Sequence, residues 1–164
     1  MTERDLVNNA FNVLQEEFKS HIRLTGTELD AELYQEMMAA VYHAEHHIGK
    51  VILQSRFRTT VPFSSSITLK VPIVEIVSVE VDGKEVTDYS LNGRILSFVG
   101  TGTSMTVTYI AGYEIIPYDM KVAIFMHAAT MFNNPTDTVE TLTKASQNML
   151  RPYRSWGLDD GEQD

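Results

Sequence analysis

Apolar residues in the first third of the chain recur every three or four positions, which is the period of an amphipathic α-helix. In a first segment they are Leu6, Ala10, Val13, Leu14, Phe18 and Ile22. After Gly26 the same spacing resumes with Leu29, Leu33, Met37, Ala40, Val41, Ala44, Ile48 and Ile52. The spacing predicts helices over about 5–22 and 28–53, the second of which is the longest element in the chain.

The period falls to two between residues 57 and 113, as expected for strands that bury one face. The alternating runs are FRTTVPF, ITLKV, IVEIVSVEV, EVTDYSL, RILSFV and SMTVTYIA. Two connections, Val81-Asp82-Gly83-Lys84 and Leu91-Asn92-Gly93-Arg94, carry the Asp-Gly and Asn-Gly pairs that favour tight hairpins. The glycine-rich segment 100–103 joins two strands without opening a helix, which indicates a further hairpin loop. The pattern predicts an antiparallel β-meander.

Helical spacing returns after Pro117, a residue suited to the first turn of a helix. The apolar face of the next segment consists of Met120, Ala123, Ile124, His127, Ala128 and Met131, and that of the last one of Val139, Leu142, Ala145 and Met149. These faces predict helices over 117–132 and 136–151. The whole pattern predicts an α+β fold, mainly a helical bundle of about four helices with a small antiparallel β-sheet inserted. Residues 1–156 are expected to form a single domain, and 157–164 an acidic, flexible tail.

Composition narrows the possible functions. The chain has no cysteine, which excludes disulfides, thiolate metal sites and cysteine nucleophiles. Its polar N-terminus lacks a signal core, and no apolar run reaches the roughly 20 residues of a membrane span. We therefore expect a cytoplasmic protein or part of an intracellular assembly. The formal net charge of -9 disfavours binding to phosphate backbones, although an acidic surface would suit a protein past which DNA slides.

The sequence HAEHH at residues 43–47 is the one cluster that suggests catalysis. His43 and His47 lie one helical turn apart, a spacing that can place two imidazoles on one metal ion. No third ligand is indicated and the H-E-x-x-H arrangement is absent, so a polar helix flank is the favoured interpretation. His127 lies among apolar residues and is expected to be a hydrogen-bonded packing residue. We assign no catalytic, cofactor-binding or metal-binding residue, and the protein is predicted not to be an enzyme.

Several segments together resemble a known family. Residues 16–24, EEFKSHIRL, are similar to a K-x-H-L-R opening that precedes a long acidic-apolar helix. Residues 107–124, VTYIAGYEIIPYDMKVAI, match a strand, an A-G-Y turn and a proline-started helix, and residues 149–154, MLRPYR, match an L-L-x-P-Y-R ending. In this order and spacing, the segments resemble the head-tail connector (adaptor) proteins of tailed bacteriophages and prophages.

This resemblance implies a non-enzymatic virion protein that forms a ring of about twelve copies beneath the portal. Such a ring extends the DNA channel and joins the capsid to the tail. The implied partners are other copies of the chain, the portal protein and a tail-completion or stopper protein, while DNA passes without specific binding. The implied location is the virion neck, with the host cytoplasm as the site of assembly. No membrane is involved.

The C-terminal segment is the expected partner-binding site, through Arg151, Tyr153, Arg154 and Trp156. A large aromatic residue beside arginines is a composition typical of interface hot spots. The alternative for Trp156 is that it folds back over the core of its own domain. Two other functions remain open from the sequence: an assembly factor or binding module absent from the finished particle, and a metal hydrolase that uses His43, His46 and His47.

Overall fold

The computed structural model describes residues 1–7, 10–134 and 142–155 of the chain. Contacts divide these residues into two compact units. The sheet unit comprises residues 1–7, 53–114 and Ser155, and the helical unit comprises the described residues from 10 to 52 and from 115 to 154. That residues 1–156 act as a single domain stays a prediction.

The described part of the sheet unit contains eight strands. They are β1 Thr2–Leu6, β2 Ser55–Pro62, β3 Ser66–Thr68, β4 Ile73–Val81, β5 Lys84–Glu85, β6 Tyr89–Asn92, β7 Ile95–Phe98 and β8 Ser104–Ala111. All pairings are antiparallel. Five strands form one sheet in the order β1-β2-β8-β4-β5, and three form another in the order β3-β7-β6.

Strand β8 lies at the centre of the five-stranded sheet and carries its core. The residues on one face are buried: Met105, Val107, Tyr109 and Ala111. The Tyr109 ring stacks on Phe57 of β2, with ring centroids 5.4 Å apart. Its hydroxyl accepts a hydrogen bond of 3.2 Å from the backbone N–H of Lys70. The alternation of buried and half-exposed residues along β8 agrees with the period of two expected for a strand that buries one face.

The described part of the helical unit contains four α-helices, α1 Ala10–His21, α2 Asp30–Ile48, α3 Tyr118–Asn133 and α4 Lys144–Leu150, followed by a 3-10 turn at Arg151–Tyr153. The predicted apolar faces of α2 and α3 are buried. α2 ends before the predicted residue 53, because Gly49 adopts a left-handed conformation with φ of 72° and its N–H bonds to the carbonyl of Glu45. The predicted helix start at 136, Val139 and the predicted tail 157–164 lie outside the described residues.

The prediction of a mainly helical bundle is wrong. About 39% of the described residues are helical and about 31% are in strands, so the sheets are a comparable part of the fold. The prediction of a single β-meander is also wrong, because β8 inserts between β2 and β4, and β3, β6 and β7 form a separate sheet. A period of two shows which face of a strand is buried, but it does not show which strands pair.

The first helix starts later than predicted. Residues 2–6 form β1, which pairs with β2 in the register Thr2 with Thr59 and Leu6 with Ser55. Leu6 is 38% exposed, so it does not belong to the apolar face of α1. Pairing with a strand distant in sequence overrides the local helical period of these residues.

The two tight turns differ in how well they were predicted. In the turn between β4 and β5, Asp82 and Gly83 have φ of 50° and 76°, as the Asp-Gly pair predicted. In the turn between β6 and β7, the central residues are Gly93 and Arg94, one position later than predicted, and Gly93 has φ of 56°. The segment 100–103 is not a hairpin loop, because it connects β7 in one sheet to β8 in the other.

Gly112 ends β8 at a point where two backbone segments come into contact. It has φ of 127°, and its N–H donates a 2.9 Å hydrogen bond to the carbonyl of Pro72. A Cβ atom at this position would lie 2.6 Å from the Cα and N of Gln54 and 2.8 Å from the carbonyl carbon of Leu53. Only glycine satisfies both the backbone conformation and this approach.

Candidate functional site

The histidine cluster contributes one residue, His43, to a pair of histidines that joins α2 to α3. His43 on α2 and His127 on α3 are joined by a 2.7 Å contact between Nδ1 of His43 and Nε2 of His127. His127 is fully buried, whereas His43 is half-buried. The expectation that His127 is a hydrogen-bonded packing residue is confirmed.

The environment of His127 determines which ring donates the proton. Its Nδ1 atom is buried and has no hydrogen-bond partner among the residues that the structure describes. A buried N–H without an acceptor costs more than a buried lone pair without a donor. We therefore assign the donor to His127, whose Nε2–H donates to Nδ1 of His43. Burial, and then the proximity of His43, lower the pKa of His127 to about 4.

The three histidines of the cluster face different environments. His43 bonds to His127, His46 is exposed and His47 is half-buried. Among residues 1–7, 10–134 and 142–155, no three His, Cys, Asp or Glu side chains come together in a way that could hold a metal ion. The His43–His127 pair joins α2 to α3, and Nδ1 of His43 is hydrogen-bonded to His127.

Two ion pairs join the helices of the helical unit. Lys19 of α1 lies 2.8 Å from Asp30, the first residue of α2, and the hydrogen bond to Asp30 is the largest of the causes that raise the pKa of Lys19. Lys121 of α3 binds both carboxylate oxygens of Glu17 on α1, at 2.9 and 2.8 Å. These contacts fix α1 against its neighbours.

The segment predicted to bind a partner extends from a firmly anchored short helix. Thr143 caps α4, because its Oγ1 accepts a 3.2 Å hydrogen bond from the N–H of Ser146. Ser146 is fully buried and its hydroxyl donates a 2.9 Å hydrogen bond to the carbonyl of Ala123 on α3. Leu150, at the end of α4, is also fully buried. The segment after Leu150 is therefore held at a fixed position on the helical unit.

Beyond Leu150 the chain presents two cationic side chains. Arg151 and Arg154 are exposed and Tyr153 is half-buried, so the structure brings these three predicted residues together in one 3-10 turn and its flank. Trp156, the fourth predicted residue, lies outside the described residues. On a protein with a formal net charge of -9, this turn and its flank bring two positive charges close together.

The sequence reasoning missed the residues that anchor this segment. It placed Ala145 and Met149 on the apolar face of the last helix, whereas Ala145 is exposed, Met149 is half-buried, and the buried residues are Ser146 and Leu150. The start of α4 could have been recognised from Thr143, because a threonine at the N-cap accepts a hydrogen bond from the N–H of the third helical residue, here Ser146.

None of the helices in the described ranges is both long enough and apolar enough to span a bilayer.

No protein-family model matches the sequence, and no curated protein matches it. Chains in solved structures of gene transfer agent (GTA) particles do match. One chain comes from the neck of an empty particle computed with C6 symmetry, and another comes from the neck of a native particle computed with C12 symmetry. Each is 19% identical with a TM-score of 0.72, and covers 93% of this chain and 95% of the neck chain.

This protein has the fold of those neck chains. A chain from the virion of the native GTA particle is similar to the same extent, at 20% identity and a TM-score of 0.73, with coverage of 93% and 95%. The resemblance to phage neck proteins that the sequence motifs indicated is thus confirmed at the level of the fold. The match includes both units, because nearly the whole of each chain is covered.

Proposed function

We propose that this protein is a structural, non-enzymatic component of the neck of a phage-like particle. The observation that supports this most is the shared fold over 93% of the chain with chains of GTA necks. The order of sequence motifs points to the same class of protein independently of the fold. The polar contacts described for the helical unit, such as His43 with His127 and Lys121 with Glu17, hold its helices together.

We further propose that copies of the protein assemble into a ring of about twelve subunits around the DNA channel. The necks that share the fold were computed with C6 and C12 symmetry, which supports a repeated subunit contact around an axis. In such a ring each subunit uses two different surfaces, one for each neighbour. The net charge of -9 favours a channel through which DNA passes without adhering.

The proposed partners are the portal protein on one side and a tail-completion or stopper protein on the other. The segment with Arg151, Tyr153, Arg154 and Trp156 is the proposed docking site, because it carries positive charge and aromatic groups at the end of an anchored helix. Arg151 is the most suitable residue to test, since it is exposed and lies directly after the buried Leu150.

The test is quantitative mass spectrometry of particles purified from the cells that encode the protein, before and after DNA packaging. We expect the protein in mature particles at a fixed ratio to the major capsid protein. Presence in precursors with loss from mature particles would contradict the proposal and indicate an assembly factor. In the variant Arg151→Glu we expect the protein to fold but to be depleted from particles, whereas Lys144→Glu, a charge reversal on the exposed side of α4, should be incorporated normally.

A further inference from the structure

Strand β6 forms an outer edge of the three-stranded sheet, in the order β3-β7-β6. All four of its residues, Tyr89–Asn92, are exposed. Two of them are large and apolar: Tyr89 is 37% exposed and Leu91 is 43% exposed. Because they are two positions apart, they lie on the same face of the strand.

Edge strands usually carry features that prevent pairing with another chain, such as charges, proline, bulges or very short length. The other free edges in the sheet unit show such features. β1 has Glu3, Arg4 and Asp5 in succession, β4 has two register irregularities, and β3 and β5 have three and two residues. β6 has no charged residue and no proline, and it pairs with β7 in regular register.

The hairpin turn determines which backbone groups of β6 point away from β7. A two-residue turn at Gly93-Arg94 makes Asn92 and Ile95 a hydrogen-bonded pair. Because such pairs alternate along an antiparallel ladder, Ser90 also faces β7, while the N–H and C=O groups of Tyr89 and Leu91 point outward. The outward backbone groups thus belong to the same two residues whose side chains are apolar.

We propose that β6 pairs antiparallel with β6 of a second copy of this chain, about a two-fold axis at Ser90. In this register Tyr89 lies opposite Leu91 of the partner subunit, and each exchanges N–H and C=O hydrogen bonds with the other. The pairing is self-complementary, because each aromatic residue meets an aliphatic residue on one face. No like charges face each other, since Asp88 lies opposite Asn92 of the partner subunit.

A cleft beside the start of β6 enlarges the surface that the second copy would cover. Its volume is about 170 Å³, and it is lined by Asp88, Tyr89, Ser90, Ser97, Phe98 and Val99. Val99, at its rim, is 92% exposed. A pairing of two short strands with a small apolar rim is expected to give a weak dimer that depends on concentration.

This dimer differs from the ring contact in its symmetry. A two-fold contact uses the same surface on both subunits, whereas a cyclic ring uses two different surfaces. The dimer is proposed for the free protein, where it would cover the edge of β6, and it does not depend on the proposed role in the neck.

Disulfide trapping in the full chain tests the proposal, because the protein has no cysteine of its own. In the proposed register Ser90 and its symmetry mate form a non-hydrogen-bonded pair with Cα atoms about 4.5 Å apart, within the range that a disulfide spans. We expect Ser90→Cys to form a covalent dimer under mild oxidation about tenfold faster than Ser66→Cys, an exposed serine on the opposite edge of the same sheet.

Adding Leu91→Lys to Ser90→Cys should abolish the rapid cross-linking while the far-UV circular dichroism stays that of the wild type. Equal rates for Ser90→Cys and Ser66→Cys would overturn the proposal, as would cross-linking that survives Leu91→Lys. Sedimentation of the unmodified protein provides a second measurement. A mass that rises with concentration in the wild type and stays monomeric in Leu91→Lys supports the pairing, and a wild type that is monomeric at every concentration overturns it.

Discussion

In the helical unit, burial follows one face of each helix and polar side chains tie the helices together at a few points. In the sheet unit, burial alternates along β8, and the fold depends on backbone conformations at tight turns and close approaches. The His43–His127 pair belongs to the first kind of region and Gly112 to the second. The difference predicts that the sheet unit is most sensitive to added atoms, and the helical unit to a change of charge or the loss of a polar contact.

The largest effect is expected from Gly112→Ala. The new methyl group would meet the backbone of Leu53 and Gln54, and the residue would have to keep a φ of 127°. We expect a loss of about 4 kcal/mol or more in the free energy of unfolding, measured by urea denaturation, or failure of the sheet unit to fold.

The control for this variant is Gly100→Ala, where an added Cβ would meet no atom within 4 Å. This variant should unfold at nearly the same urea concentration as the wild type. Equal stability of Gly112→Ala and Gly100→Ala would show that the contact at the end of β8 does not constrain the fold.

The next largest effect is a pH dependence in the helical unit. His127 binds a proton near pH 4 in the folded protein but near its ordinary pKa of 6.5 in the unfolded chain, so unfolding takes up a proton between these values. Stability from this group is fully present above pH 6.5 and is lost as the pH falls from 6.5 to 4, by about 3 kcal/mol in total.

The matched variants for this prediction are His127→Gln and His46→Gln. Glutamine at 127 can still donate to His43 but does not titrate, so the fall in stability between pH 6.5 and 4 should become shallower. His46→Gln, at an exposed position of α2, is the control. Urea denaturation at a series of pH values measures both, and identical slopes in the wild type and His127→Gln would refute the assignment.

These two regions also differ in how far the sequence predicted them. The buried faces of α2 and α3 follow from local spacing, and residues such as Leu33, Met37 and Ile124 were correctly placed in the core. The pairing of β1 with β2 and the insertion of β8 between β2 and β4 depend on segments far apart in the chain. Local periodicity has no information about these contacts.

In the candidate site too, some residues could be predicted from the sequence and others could not. The exposed Arg151 and Arg154 were identified from composition, but the buried Ser146 that anchors their helix was not, because a serine gives no apolar signal. The His43–His127 contact was also not predicted, since its two residues lie on different helices. The sequence indicated a hydrogen-bonded His127 without indicating its partner.

A smaller effect is expected from Thr143→Ala, which removes the side-chain acceptor for the N–H of Ser146. Loss of such a cap costs about 1 kcal/mol. Lys144→Ala, at the next position, keeps the cap and should be close to neutral. Thermal unfolding followed by circular dichroism compares the two, and equal melting temperatures would count against the cap as an anchor of the C-terminal segment.

The smallest effect is expected from Asp82→Asn in the sheet unit. The carboxylate of Asp82 accepts hydrogen bonds from the backbone N–H groups of Ser104 and Thr103, which lower its pKa below the ordinary 3.8. Its contribution is present above pH 3.8 and is lost as the pH falls further. Asparagine tolerates the positive φ and keeps one acceptor oxygen, so the substitution removes the charge and one of the two acceptors of the Thr103 N–H. Denaturation at pH 7 and pH 3 should show a small difference between variant and wild type at pH 7 only.

The proposed function depends on this chain forming a ring in the particle neck. Cryo-electron microscopy of the neck in purified particles, reconstructed without imposed symmetry, tests it most directly. The proposal predicts density for both units of this chain, repeated around the channel axis as a closed ring next to the portal. A neck in which every ring is accounted for by other proteins, with no density that fits this fold, would contradict it.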